Sequence, residues 1–325
     1  MKFIKQFAVL PADAEKIRAL VEGRQSDWFV MDRQQRNVEG HAPRFNREEF
    51  WLILLGCLLT TQQRSTKGAP VDRFLELKPF PLSLSLCARE IEKQIVSILT
   101  SFGGIRRAPT IARQAKLNYD WLHRHGWASV EAHFTKLAAQ RNRPPEPRDV
   151  KAEREAAYFA DEAFAGIGPK QSRNLWQWLG LTRYEIPLDS RISKWIGSNL
   201  SIQIGGIDLN EQRDYDAVLD CIQALCIEAR VLPCMFDAAA FDYQEQGSTQ
   251  SGAPVDSKGT TRTGYVNPNG QVVIRDTGAP GTDKFQRVYQ LGCSKCGYVY
   301  GANGSDCHLR LCPKCQDGSA GLLLR

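Results

Sequence analysis

AFAGIGPKQSRNLWQWLGLTRYEIPLDSRISKWI, residues 163–196, is the stretch from which the rest of the chain can be read. Gly166 and Gly168 bracket Ile167, and Pro169 stands where a helix should begin, because its missing N–H costs nothing in a first turn. Two glycines let the backbone approach a phosphate closely, and the free N–H groups of the following helix start point toward it. Lys170 leaves this hairpin and Asp189 follows nineteen residues later. That separation holds one helix of about three turns, a short connector and the cap of the next helix, so an amine and a carboxylate can face one cleft. Asp189 also directly precedes the helix expected from Ser190, where aspartate is a preferred N-cap, and the two roles are compatible.

Outward from this stretch the chain reads as helical. Segments 151–165 and 170–179 are the two helices of a helix–hairpin–helix motif. Segment 47–61 is apolar almost all round, which places it at the centre of a helical bundle, and it ends in a polar cluster of Gln62, Gln63, Arg64 and Ser65. Further helices are expected over 91–99, 109–121, 129–138, 215–230 and 235–244. The joint SFGGIRRA puts Arg106 and Arg107 after two glycines, as a phosphate contact or as an ordinary turn with a solvated basic face. Residues 1–46 form a polar N-terminal extension with one helix over 12–22, capped by a Pro-Ala-Asp turn, and with Trp28 and Phe29 packing back on the core.

The totals describe a globular protein with a sizeable core, 42% hydrophobic and 24% charged. Lys and Arg number 42 against 36 Asp and Glu, for a net charge of +6 and a pI near 8.8, compatible with a polyanionic partner. No window approaches the roughly 18 apolar residues of a membrane span. The apolar run before Pro11 is too short for a secretory segment, so a cytoplasmic protein is expected.

At Gln246 the composition changes. Residues 246–264 read as a linker, and 265–325 as a β-hairpin followed by two C-x-x-C knuckles, Cys293/Cys296 and Cys312/Cys315, fifteen residues apart. Four thiolates at this spacing suit a closed structural Zn²⁺ site, a zinc ribbon, whose metal would supply folding free energy to a segment with little core. Cys307 or His308 could substitute as a ligand, and Lys295, Arg310 and Lys314 give a basic rim suited to DNA contact or to plain solvation.

A lysine at the mouth of a DNA-binding hairpin has a specific use. Partly desolvated, its neutral amine can attack a sugar C1′ and form a Schiff base, while a carboxylate answers the positive charge on the sugar. At GIGPK (166–170) and PLDSR (187–191) the chain resembles the helix–hairpin–helix DNA glycosylases, which include endonuclease III, the adenine glycosylase acting opposite 8-oxoguanine, and 8-oxoguanine DNA glycosylase. The lysine-to-aspartate spacing is similar to that of the 8-oxoguanine enzymes, and the resemblance covers about residues 45 to 245. It implies a mainly α, two-subdomain glycosylase fold over 47–245, ahead of the small β-rich ribbon. It further implies double-stranded DNA with a damaged or modified base as partner, base flipping, and a monomeric glycosylase/abasic-site lyase with Lys170 and Asp189 as catalytic residues.

The same resemblance assigns Gly166, Ile167, Gly168, Gln62, Gln63, Arg64 and Arg191 to DNA binding, with Gln62 filling the space left by the extruded nucleotide. Ser172 stands where the family usually has alanine, and only Cys221, Cys226 and Cys234 follow the aspartate, so buried thiols and no iron–sulfur cluster are expected. Trp176, Phe236, Phe241 and Tyr243 are candidates to stack on the base, and Asp237 or Asp242 to read its edge. Three alternatives stay open: a glycosylase without the lyase step, using Asp189 to activate water; a noncatalytic DNA-structure-binding protein; and an enzyme directed at modified foreign DNA, as in anti-phage defence.

Overall fold

The computed structural model describes residues 7, 9–63, 68–85, 90–202, 204, 206–250, 260–262, 264–280, 282 and 287–322, with backbone alone for 242–250, 278 and 280. Two compact units emerge, Met1–Glu245 and Gln246–Arg325.

The first unit is helical: α1 (Pro11–Glu22), α2 (Trp28–Arg33), α3 (Arg47–Thr60), α4 (Pro70–Leu75), α5 (Ile91–Phe102), α6 (Ala108–Trp121), α7 (Trp127–Arg141), α8 (Asp149–Ala163), α9 (Pro169–Trp178), α10 (Ser190–Asn199), α11 (Gln212–Ala229) and α12 (Pro233–Gln250). The short α2 and α4 carry too few turns to show a periodic signal in sequence. Helix α12 continues through 246–250, so the first residues read as linker are helical backbone. Nor does the Pro-Ala-Asp turn cap α1: the helix already begins at Pro11, and Asp13 turns inward to accept the Ser201 N–H at 2.9 Å.

Two hydrophobic cores organise this unit. In the first, α3 is wrapped by α4 to α9, and Trp51, Leu54, Leu55 and Leu58 are buried. Asn46 caps α3 by accepting the Glu48 and Glu49 N–H groups. Gly56 lets Trp178 close on the helix, since a Cβ there would meet its ring at 3.2 Å. The second core joins α10, α11 and α12 to Ala14, Ile17 and Val21 of α1 and Val30 of α2.

A buried polar network ties the connector between α9 and α10 to its neighbours. Glu153 on α8 accepts three backbone N–H groups, from Arg183 at 2.9 Å, Tyr184 at 2.7 Å and Glu185 at 2.8 Å. Glu185 pairs in turn with Arg154 and Arg173, and the Arg173 guanidinium reaches Asp216 on α11 at 2.9 Å. Glu153→Ala would strand three buried donors, each costing ~1–3 kcal/mol. Thermal unfolding should therefore begin roughly 10 °C lower, at ~2–4 °C per kcal/mol for a unit of this size; an unchanged midpoint would show that water replaces the carboxylate.

The second unit is an antiparallel sheet in the order β1 (Gln271–Pro280), β2 (Arg287–Cys293), β3 (Val299–Asn303). Pairing sets Val273 opposite Leu291 and Leu291 opposite Tyr300, and these three with Ala302 and Cys307 make a small core. The expected hairpin turns at Gly270, whose φ of +80° suits glycine. The third strand lies in the cysteine-rich segment, where no strand was expected. Among the described residues no helix is long and apolar enough to cross a membrane.

Candidate active site and metal centre

The hairpin closes α8 onto α9. Gly166 takes φ +82°, and a Cβ there would collide with the Gln114 side chain at 2.4 Å. Gly168 is different: it caps α9 in extended backbone with φ −113° and has open space where a Cβ would go, so its smallness keeps the approach clear. Ile167 is buried and anchors the turn. Asn118 on α6 clamps the entry, donating to the Ala165 carbonyl at 3.1 Å and accepting the Ala165 N–H at 2.7 Å. No motif announces Asn118, but it falls on the buried Ile111–Ala115–Leu122 stripe, where a polar residue needs a partner.

Lys170 follows in the first turn of α9. Among the described residues no hydrogen bond or close ion pair holds its ammonium, and burial pulls it below the usual lysine range. Asp189 opposes this most strongly, while Arg191 adds to the lowering. Cys57 is wholly buried on α3, and burial pushes its thiol up to about 12, which keeps it a neutral neighbour.

Asp189 is the N-cap of α10. One carboxylate oxygen accepts the Arg191 and Ile192 N–H groups at 2.8 and 3.0 Å, and the other takes the Arg191 guanidinium at 2.9 Å (Nε) and 2.8 Å (Nη2). The Arg191 guanidinium lies 3.7 Å above the Phe241 ring. Phe241 stacks on Phe29 at 4.6 Å, and Arg33 sits 5.4 Å from the Phe29 ring. Arg33 and Asp237 form a buried pair at 2.5 Å. This wall beside Lys170 and Asp189 thus draws on α2, α10 and α12.

Of the residues expected to contact a base, Phe241 is in this wall. Trp176 and Phe236 are not: both are fully buried, Trp176 donating to the Ala156 carbonyl and Phe236 packing on Trp195. Asp237 is committed to Arg33, and burial raises its pKa. The side chains of Asp242 and Tyr243, and all of Arg64 and Ser65, lie outside the described residues. Trp28, expected on the core, is 74% exposed; Phe29 alone packs inward.

The end of α3 meets the hairpin helix. Gln171, next to Lys170, donates to Thr61 Oγ1 at 2.9 Å. Gln63 is consumed by the chain, donating to the Leu59 carbonyl and accepting the Arg106 N–H at 2.8 Å, while Arg107 binds the Thr61 carbonyl. Gln62 is left exposed in left-handed backbone at φ +57°, an uncommon conformation for a residue with a side chain. A groove of about 1400 Å³ beside Val21, Met31, Ile227 and Met235 includes none of these groups.

In the second unit the sulfurs of Cys293, Cys296, Cys312 and Cys315 lie within 4.8 Å of one another. Tetrahedral thiolate ligation places sulfurs ~3.8 Å apart, so the donor set fits such a metal centre. Gln271 Nε2 and the Lys314 N–H point at the Cys293 and Cys312 sulfurs, at 3.6 and 3.4 Å. Cys307 is a buried spare thiol donating to the Asn303 carbonyl, and His308 is turned to Ser305, so neither joins the four. Cys221, Cys226 and Cys234 are buried thiols in the helical unit.

No protein-family model and no curated protein matches the sequence. Solved structures do. An 8-oxoguanine DNA glycosylase of Methanocaldococcus jannaschii superposes with a TM-score of 0.50 at 15% identity, over 72% of this chain and 94% of that one. The 8-oxoguanine glycosylase/lyase of the same organism, in complex with a 15mer DNA containing 8-oxoguanine, gives 0.51 at 13% identity, over 71% and 98%. The fold is that of these glycosylases. At this identity the likeness concerns architecture alone.

Proposed function

We propose that the chain is a DNA glycosylase with abasic-site lyase activity, acting on a damaged or modified base extruded from double-stranded DNA. The observation that carries this is Lys170: a desolvated amine, held by no hydrogen bond among the described residues, at the exit of a glycine hairpin and under the influence of an N-cap carboxylate. The neutral Nζ attacks C1′, the C1′–N bond breaks and the base leaves with its bonding electrons and a proton. The sugar ring then opens to a Schiff base, whose acidified C2′ proton is lost as the 3′ phosphate departs by β-elimination. Asp189 stabilises the positive charge during the first step.

Gly166–Gly168 and the start of α9 would bind a phosphate, with Arg191 and Arg64 as further contacts. Gln62, projecting from its left-handed turn, would fill the vacated stack. Borohydride trapping on duplexes that each carry one damaged base, 8-oxoguanine first, and on an abasic duplex tests the reading. A covalent adduct with strand cleavage is expected on the abasic duplex and on at least one lesion; no adduct and no released base on any duplex rejects it.

The four cysteines would hold one structural Zn²⁺. Binding of this kind is worth ~10–16 kcal/mol in small zinc domains. Cys293→Ser should lower bound zinc from about one equivalent to nearly none, and amide exchange over β1 to β3 should accelerate at least 100-fold. Retained zinc would assign the metal elsewhere.

A further inference from the structure

The second unit carries a surface that the metal does not use. Tyr298 directly follows the first knuckle, is 41% exposed, and stacks on the buried Tyr300 at 5.9 Å with ring planes 17° apart. Tyr300 is fixed by its hydroxyl, which donates to Gln271 Oε1 at 3.0 Å, and Gln271 also binds Gln316 and the Cys293 sulfur. The outer ring is therefore braced from behind. Lys314, on the second knuckle, holds its ammonium 6.0 Å from the Tyr298 ring centre.

Nine Lys and Arg stand against five Asp and Glu in 246–325. The cations of this unit differ in their freedom. Arg310 is spent on the Ser319 and Ala320 carbonyls and on Asp306, and Arg287 pairs with Asp276. Lys295 and Lys314 are exposed and have no ion-pair partner among the described residues. An exposed aromatic face with unpaired ammonium groups on the adjoining loops is the pairing that holds an unstacked base and its phosphates. Bases of an intact duplex already stack on each other and offer no free face to such a ring.

We propose that the Tyr298 face of the ribbon binds single-stranded DNA, with one base stacked on Tyr298 and flanking phosphates at Lys314 and Lys295. The site needs nothing from Lys170, so it stands or falls apart from the glycosylase reading. The test is fluorescence anisotropy of a labelled 20-nucleotide thymidine strand, and of a duplex of equal length, with the zinc-loaded full chain at several salt concentrations.

Tyr298→Ala should weaken single-strand binding roughly tenfold, the loss of about one stacked base, with duplex binding unchanged. Tyr298→Trp should restore it. Lys314→Gln and Lys295→Gln should each reduce the log–log salt slope by about 0.7. A zinc-replete Tyr298→Ala within twofold of the parent, or an equal loss on the duplex, overturns the proposal. No single-strand binding by the parent also overturns it and leaves the face to a protein partner, while tighter binding of the matching RNA overturns the choice of DNA. Should Tyr298→Ala fail to retain zinc, the two exposed lysine substitutions decide, and unchanged salt slopes in both would refute the site.

Discussion

Lys170→Gln should abolish the borohydride-trapped adduct and reduce strand cleavage by roughly 10³-fold or more, the scale of losing a covalent nucleophile. Glutamine keeps a long polar side chain in the first turn of α9, and the hairpin above it is held by Gly166, Ile167 and the Asn118 clamp, none of which touches the lysine head. The unfolding midpoint should therefore stay within a few degrees of the parent, separating lost chemistry from lost fold. The pH dependence adds a second reading. Burial lowers the Lys170 pKa, so the neutral amine exists below the usual lysine range, and trapping should rise with pH along a limb lying below that of an exposed lysine. An adduct undiminished in the glutamine variant would move the nucleophile to another amine.

Asp189→Asn should cost roughly 10²- to 10³-fold in base release, with little effect on stability. Asparagine caps a helix about as well as aspartate, so the bonds from the Arg191 and Ile192 N–H groups persist while the charge facing Lys170 is lost. The sign of the side effect is informative. Asp189 is the main influence holding the Lys170 pKa up against burial, so its neutralisation lowers that pKa further. On DNA that already contains an abasic site, where no base has to leave, trapping should survive and its pH limb should move to lower pH. If base release is unaffected, Asp189 is a cap alone and the chain loses its claim to this mechanism.

Most of the helical body was legible because its signals are local. Gly166, Pro169 and Asp189 act through backbone rules, and the apolar run from Phe50 to Leu59 can only be a buried helix. The cysteine knuckles were legible for the same reason, since ligand spacing is written in the chain. The wall beside Lys170 was not. Phe29 and Phe241 lie 212 positions apart, as their numbering gives, and meet only when α2 packs on α12. Trp176 looked like a stacking platform because helical spacing does not tell a core face from a cleft face, and its indole turned out to bond Ala156 inside the core. Glu153 carried no warning either: three convergent backbone N–H groups come from a connector thirty residues downstream.

Lys170 and Asp189 both belong to helix starts, one in the opening turn of α9 and one capping α10, whereas the wall beside them is side-chain packing from α2 and α12. Backbone termini are hard to displace and side-chain facings are easily exchanged. A lineage can therefore alter Phe29, Arg33, Asp237 or Phe241 and so change what fits beside the amine, without relocating the amine or its counter-charge. Under the proposed reaction, divergence in substrate would be concentrated in the first 46 residues and α12, and the hairpin would record ancestry more than preference.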